Sequence, residues 1–182
     1  MQLIAFALLL QADADALYKF KAGTSWTYEK KDGGPGGVVT MTVSGVDKDG
    51  RVSIDQREQI LDAQPRLSKQ AWFVKDGLLH WVEISNSGTD TPFLDVYKVG
   101  SRKGDSWKTA FPMGEADAKH MGVEEVKVGA GTYKNAVHVR IAQGPASIDV
   151  WLAPGVGMVK SAMKPPMGPA VEMSLKEFKA VK

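Results

Sequence analysis

The chain contains no cysteine. That absence removes a disulfide framework, a thiolate zinc site and a cysteine nucleophile together. It also removes lipid attachment through an N-terminal cysteine. Histidine is scarce, with only His80, His120 and His138 present. None has a second histidine three to five residues away, the usual clue to a zinc site. Glu124 and Glu125 lie near His120, but acids near a histidine are common by chance. The three histidines read as structural or solvated. Charge of one sign is also missing: the net charge is +2, and the lysines are spread along the chain. A nucleic-acid binder would show a basic stripe. No apolar run reaches the ~20 residues a membrane-spanning helix needs.

Catalytic motifs are absent as well. No G-x-S-x-G elbow occurs, nor the strand–turn–helix setting that it requires. Glu124 and Glu125 are adjacent, so on a strand they point to opposite faces and cannot flank one bond. The glycine-rich stretch Asp32 to Gly37 lacks the lysine and following helix of a phosphate loop. Met158, Met163, Met167 and Met173 crowd the C-terminal quarter, but no histidine or tight repeat accompanies them as a copper site would want. They read as core filler or as the lining of an adaptable apolar groove. The sequence therefore implies no cofactor, no metal and no catalytic residue.

What is present is a β-pattern. The 182 residues suit one domain, and 43% hydrophobic content suits a globular one. The 19 glycines sit between short β-rich runs. Val39, Met41 and Val43 alternate with Thr40, Thr42 and Ser44, the period of a half-buried strand. Asp47 to Gly50 and Asp76-Gly77 are hairpin turns. Arg51 to Leu61 reads as a strand whose tail, Gln56 to Ala63, has a short helix as its alternative. Leu78 to Val82 is apolar on both faces, as a strand covered twice or lining a cavity would be. Pro112 to Lys119 reads as a connection with at most one helical turn. Met121 to Val128 and Tyr133 to Ala142 form a further pair.

Ile148 to Met163 is the most distinctive stretch. Ile148, Val150 and Leu152 alternate with Asp149, Trp151 and Ala153, then Pro154-Gly155 turns the chain back. Strands joined by turns this short are antiparallel. The count comes to roughly ten to twelve. No repeat and no domain linker interrupts them.

At the start, Leu3 to Leu10 is a continuous apolar run followed by Gln11-Ala12-Asp13-Ala14-Asp15-Ala16. Small residues at alternate positions make an A-x-A processing signal, with cleavage after Ala14 or Ala16. Residues 1–16 are expected to be a secretory signal peptide, and 17–182 a single all-β domain. A buried first strand or helix is the alternative for this run.

Three pieces resemble a known group: K-A-G-T-S-W-T-Y (Lys21 to Tyr28), V-G-A-G-T-Y-K-N-A-V-H-V (Val128 to Val139) and V-W-L-A-P-G-V-G-M-V-K (Val150 to Lys160). They are similar to bacterial secreted proteins of unknown function in which G-x-x-W-x-Y, A-G-T-F/Y and W-x-A-x-G-V-G-x-V-K recur in that order. Leu152 departs from the usual aromatic, and the lipidation cysteine of many relatives is missing. The resemblance implies the architecture of LolA-like lipoprotein carriers: a curved antiparallel half-barrel whose concave side can shelter apolar groups.

Together these readings predict an exported, periplasmic or extracellular, non-catalytic protein. It would shelter a lipid or other apolar ligand, with Trp72, Leu79, Trp81, Trp151 and Met158 as lining residues. The alternative is an envelope structural or interaction module whose concave face is filled by its own side chains. No nucleic acid and no stable membrane span are expected, and no protein partner is indicated. A remaining outside reading, a hydrolase, would need a cleft with a buried acid or histidine and a hydrogen-bonded partner.

Overall fold

The computed structural model describes residues 14–61, 63–85, 90–111 and 114–181. Most of the expected signal segment, residues 1–13, lies outside the described residues. One short helix, α1 (Ala14–Tyr18), precedes twelve strands. They are β1 (Ser25–Lys31), β2 (Gly37–Val46), β3 (Val52–Gln59), β4 (Arg66–Lys75), β5 (Leu78–Ile84), β6 (Asp90–Lys98), β7 (Ser106–Phe111), β8 (Gly114–Val128), β9 (Gly131–Gln143), β10 (Ala146–Ala153), β11 (Gly157–Lys164) and β12 (Val171–Lys179).

All twelve belong to one antiparallel sheet in the order β6-β5-β4-β3-β2-β1-β12-β11-β10-β9-β8-β7. The all-β, single-sheet fold expected from the alternating pattern is thus present. The first and last strands meet beside each other at the centre, and the chain grows outward from them as hairpins on both sides. Asp76 and Gly77 both have positive φ, 51° and 75°, the geometry of a tight two-residue hairpin turn. Where helix and strand competed in Gln56 to Ala63, strand runs to Gln59 and a turn follows.

The connection expected over Pro112 to Lys119 is strand from Gly114 onward. Its core positions are Ala116 and Ala118, both buried against β7 and β9. Alanine carries little hydrophobic contrast against Glu115, Asp117 and Lys119, so the period-2 signal is faint there.

Twist accumulating along the sheet curls it around one face. Trp26 and Tyr28 on β1, Met41 on β2, Ile54 on β3, Val139 and Ile141 on β9 and Val150 on β10 all point into that concave face and form one core. Helix α1 sits inside the curl, against β4 on one side and β11 on the other. Leu17 is fully buried there, and the Gly155 amide donates to the Ala16 carbonyl at 2.7 Å. The two edge strands β6 and β7 approach without forming a ladder. Asp95 and Thr109 join them: the Asp95 amide donates to Thr109 Oγ1 at 2.8 Å, and the Ala110 amide donates to Asp95 Oδ2 at 3.4 Å. The sheet is therefore curled but not closed into a barrel.

Candidate functional site

The concave face carries a chain of aromatic rings. Phe20 stands edge-on to Trp26 at 4.8 Å, Trp26 lies 6.0 Å from Trp72, and Trp72 meets Trp81 at 5.4 Å. Trp72 and Trp81 are register partners on β4 and β5. Two of the expected lining residues are thus brought together. Leu79 and Met158 share the same core, and all four are buried, at 4%, 7%, 2% and 1% exposure for Trp72, Trp81, Leu79 and Met158. They face other side chains of the protein. The Met158 carbonyl accepts the Tyr28 hydroxyl at 2.8 Å, and the Val156 carbonyl accepts the Trp26 indole at 2.6 Å. Tyr28 is wholly buried. Burial first, and then the neighbouring Tyr133, push its phenol far above the ordinary tyrosine range.

Toward one end of β3, β4 and β5 the same face turns polar. Gln56 is the register partner of Ser68, and Gln70 is the partner of Glu83. Ser68 and Gln70 are two residues apart on one strand, so the four form a staggered cluster across β3, β4 and β5. Trp81 Nε1 donates to Gln70 Oε1 at 2.6 Å, and Gln70 Nε2 donates to Gln56 Oε1 at 2.8 Å. These residues surround a cavity of about 190 Å3. One row further on, Lys30 pairs with Glu58.

Trp151, the fifth candidate, is on the outer face and apart from the others. It stacks on His138 with ring centroids 4.4 Å apart, and Lys160 Nζ lies 5.5 Å from the centroid of the Trp151 ring. His138 Nε2 is 2.7 Å from Asp149 Oδ1, an oxygen that also accepts Arg140 Nε at 2.8 Å. Glu124 approaches His138 Nδ1 at 3.4 Å and accepts the Trp151 indole. A second outer row has the same order of chemistry. Arg51 lies 5.1 Å over Phe73, Phe73 stacks on His80, and His80 Nδ1 is 2.6 Å from Asp95. Sequence reading missed both rows, because their members come from four neighbouring strands. Only pairing register brings them together. A broad groove of about 990 Å3 runs over β2 to β5; Gln56, Ser68 and Glu83 line it as well as the small cavity, together with Asp55, Arg57 and Ile84.

Chemically these arrangements bind and brace. The nearest approach to a nucleophile and base is Ser101 Oγ, 3.2 Å from His120 Nδ1. Both residues are buried, at 6% and 4% exposure, so a substrate bond reaches Ser101 only if the strands around it move. Among the described residues no group of three or more histidines and acids is arranged to hold a metal ion. No described helix is long and apolar enough to cross a membrane.

No protein-family model matches the sequence, so the three-segment resemblance finds no support of that kind. No curated protein matches it significantly. Solved structures do match in shape. One is a Bacteroides fragilis protein with a YmcC-like fold, presumed exported. It has a TM-score of 0.58 and 12% identity, over 90% of this chain and 98% of that one. Another is a Parabacteroides distasonis protein taken to be a lipoprotein. It has a TM-score of 0.54 and 14% identity, again over 90% and 98%. The Pseudomonas aeruginosa MucA/MucB complex aligns at a TM-score of 0.44 and 15% identity, over 91% of this chain and 53% of that one. At these identities the likeness is one of fold: this chain has the curled-sheet architecture of proteins presumed to be exported or lipid-anchored.

Proposed function

We propose that the chain is an exported, non-catalytic envelope protein, an interaction module whose curled sheet is filled by its own side chains. The observation that carries this reading is the state of the concave face. A carrier of acyl chains needs a continuous apolar cavity of roughly 300 Å3 or more. Here Trp72, Leu79, Trp81 and Met158 are consumed in a core that runs from Trp26 through Tyr28, Ile54, Val139 and Val150. Leu17 and Tyr18 of the N-terminal segment are buried in the same core. The larger groove, over β2 to β5, has a mixed lining in which Leu67 and Ile84 are interrupted by Asp55, Arg57, Lys69 and Glu83.

Export is supported by the apolar run with its A-x-A site and by the kind of protein that shares the fold. Of the two processing points, cleavage after Ala14 fits the fold better than cleavage after Ala16. It leaves the Ala16 carbonyl in place for the Gly155 amide.

The test is native mass spectrometry of the mature protein purified from its own envelope, followed by organic extraction. The expected result is a single mass beginning at Asp15, with no adduct and no gain in Tm across a panel of lipids. A near-stoichiometric lipid would overturn the filled-interior reading and restore the carrier.

A further inference from the structure

We infer that the polar block on the concave rim, Gln56, Ser68, Gln70 and Glu83 beside Trp81, is a binding site for a small polyhydroxylated ligand, a single sugar ring with adjacent hydroxyls. The inference rests on the interaction-module reading and assigns that module a ligand class.

The orientation of the site follows from one atom. An indole N–H can only donate. The Gln70 atom facing Trp81 Nε1 at 2.6 Å is therefore the amide oxygen. That turns Gln70 Nε2 toward Gln56, whose near atom at 2.8 Å must in turn be its oxygen. The relay has a direction, and it ends with the Gln56 NH2 as a donor. Gln70 keeps one further N–H. Across the strand from Gln70 stands the Glu83 carboxylate, exposed and without a polar partner among the described residues. The Ser68 hydroxyl, which donates and accepts, is opposite Gln56. Neighbouring strands put these side chains about 5 Å apart.

A fixed donor beside a fixed acceptor selects the ligand. A hydroxyl accepts and donates at once, so two neighbouring hydroxyls meet the amide and the carboxylate together. An ammonium only donates and leaves the amide N–H groups unmet. A phosphate or carboxylate only accepts and is repelled by Glu83. The cavity of about 190 Å3 has room for one ring, and it adjoins the larger groove through Gln56, Ser68 and Glu83. Trp81, packed against Trp72, lines one side of the cavity and fixes Gln70 through its indole.

The experiment is a titration of the uniformly 15N-labelled chain, with methyl glucoside, methyl mannoside and N-acetylglucosamine as probes. Putrescine and inorganic phosphate are the charged controls. The expected result is a saturable shift of the Trp81 indole and of the Gln56 and Gln70 side-chain amides with at least one sugar, and weaker or no response to the controls. Glu83→Gln, at an exposed position, is expected to fold normally and to weaken the sugar roughly tenfold. Gln70→Ala risks the Trp81 hydrogen bond, so Glu83→Gln is the deciding variant. No shift at about 50 mM of any sugar overturns the inference. So does an unchanged affinity in Glu83→Gln, or tighter binding of putrescine. A co-purifying lipid overturns the filled-interior reading whatever the sugars do, whereas sugar failure in lipid-free protein overturns only the ligand class.

Discussion

Gly155 is the central residue of the turn between β10 and β11, Gly157 is the first residue of β11, and the two do different work. Both have positive φ, 76° and 81°. A Cβ at Gly155 would meet nothing within 4 Å, so its cost is backbone strain alone. A Cβ at Gly157 would lie 3.2 Å from the Phe20 ring and 3.3 Å from the Leu17 carbonyl. Gly155→Ala is expected to cost about 1–2 kcal/mol. Gly157→Ala adds a steric term and should cost about 2–4 kcal/mol. Urea denaturation of the two variants checks the order; equal losses would remove the role given to Phe20 and Leu17.

Tyr28 supplies a second test at this scale. Tyr28→Phe leaves the buried Met158 carbonyl without its donor and should cost about 1–3 kcal/mol near neutral pH. Its pH dependence has a definite sign. An unfolded tyrosine loses its proton near pH 10, while Tyr28 in the fold keeps it well above that. Below pH 10 both states hold the proton and the stabilisation is complete. Above pH 10 the unfolded chain releases it, and stability falls by about 1.4 kcal/mol per pH unit. The wild type should therefore lose stability more steeply than Tyr28→Phe between about pH 10 and 12. Parallel slopes in chemical denaturation would contradict this. The tyrosine was visible in the sequence as the last residue of the K-A-G-T-S-W-T-Y segment. Its partner was not, because Tyr28 and Met158 are 130 residues apart.

Strands and hairpins carry the next set of consequences. The edges β6 and β7 face each other across a seam that a ladder would have closed. Thr109 does that work instead, accepting from the Asp95 amide and donating to the Asp95 carbonyl at 3.3 Å. Thr109→Val removes both bonds while keeping the shape. Hydrogen exchange of the Asp95 amide should speed up roughly tenfold, with β9 and β10 unaffected. Uniform acceleration across the sheet would mean the seam opens only on global unfolding. Most strands were legible, because Thr40, Thr42 and Ser44 against Val39, Met41 and Val43 is a pattern written inside the strand itself. The first part of β8 was not, because Ala116 and Ala118 mark its inner face so weakly. The outer rows through His80 and His138 were hidden for another reason: a strand's own sequence does not name its neighbours' register.

Over the whole molecule, the N-terminal segment is part of the fold. A chain that begins at Leu17 loses the Ala16 carbonyl that holds Gly155 and should be about 1–2 kcal/mol less stable than one that begins at Asp15. A chain that begins at Lys21 loses Leu17, Tyr18 and Phe20 as well and should lose roughly 3–6 kcal/mol. Thermal denaturation of the three chains tests this, and three equal Tm values would place the segment outside the cooperative unit. The aromatic chain from Phe20 to Trp81 makes the same point in space. It joins the N-terminal segment to β1, β4 and β5, and fills from within the hollow that the curl creates.

Some properties of this protein were determined by its sequence alone. The period-2 alternation, the Asp-Gly and Pro-Gly turns and the lack of long helical patterns are local, and they suffice for an antiparallel all-β chain. The absence of cysteine settles the disulfide and thiolate chemistry without any structure. Tertiary structure decided the rest. Trp72 and Trp151 look alike in sequence, each alternating with smaller neighbours on a strand. One lies in a filled interior and the other in a charged row outside. The side a residue faces depends on where the hollow of the sheet is. That follows from twist summed over twelve strands and from contacts such as Trp26 to Val156, which no local pattern encodes. The polar rim is of the same kind: Gln56, Ser68, Gln70 and Glu83 are unremarked polar residues until register sets them side by side.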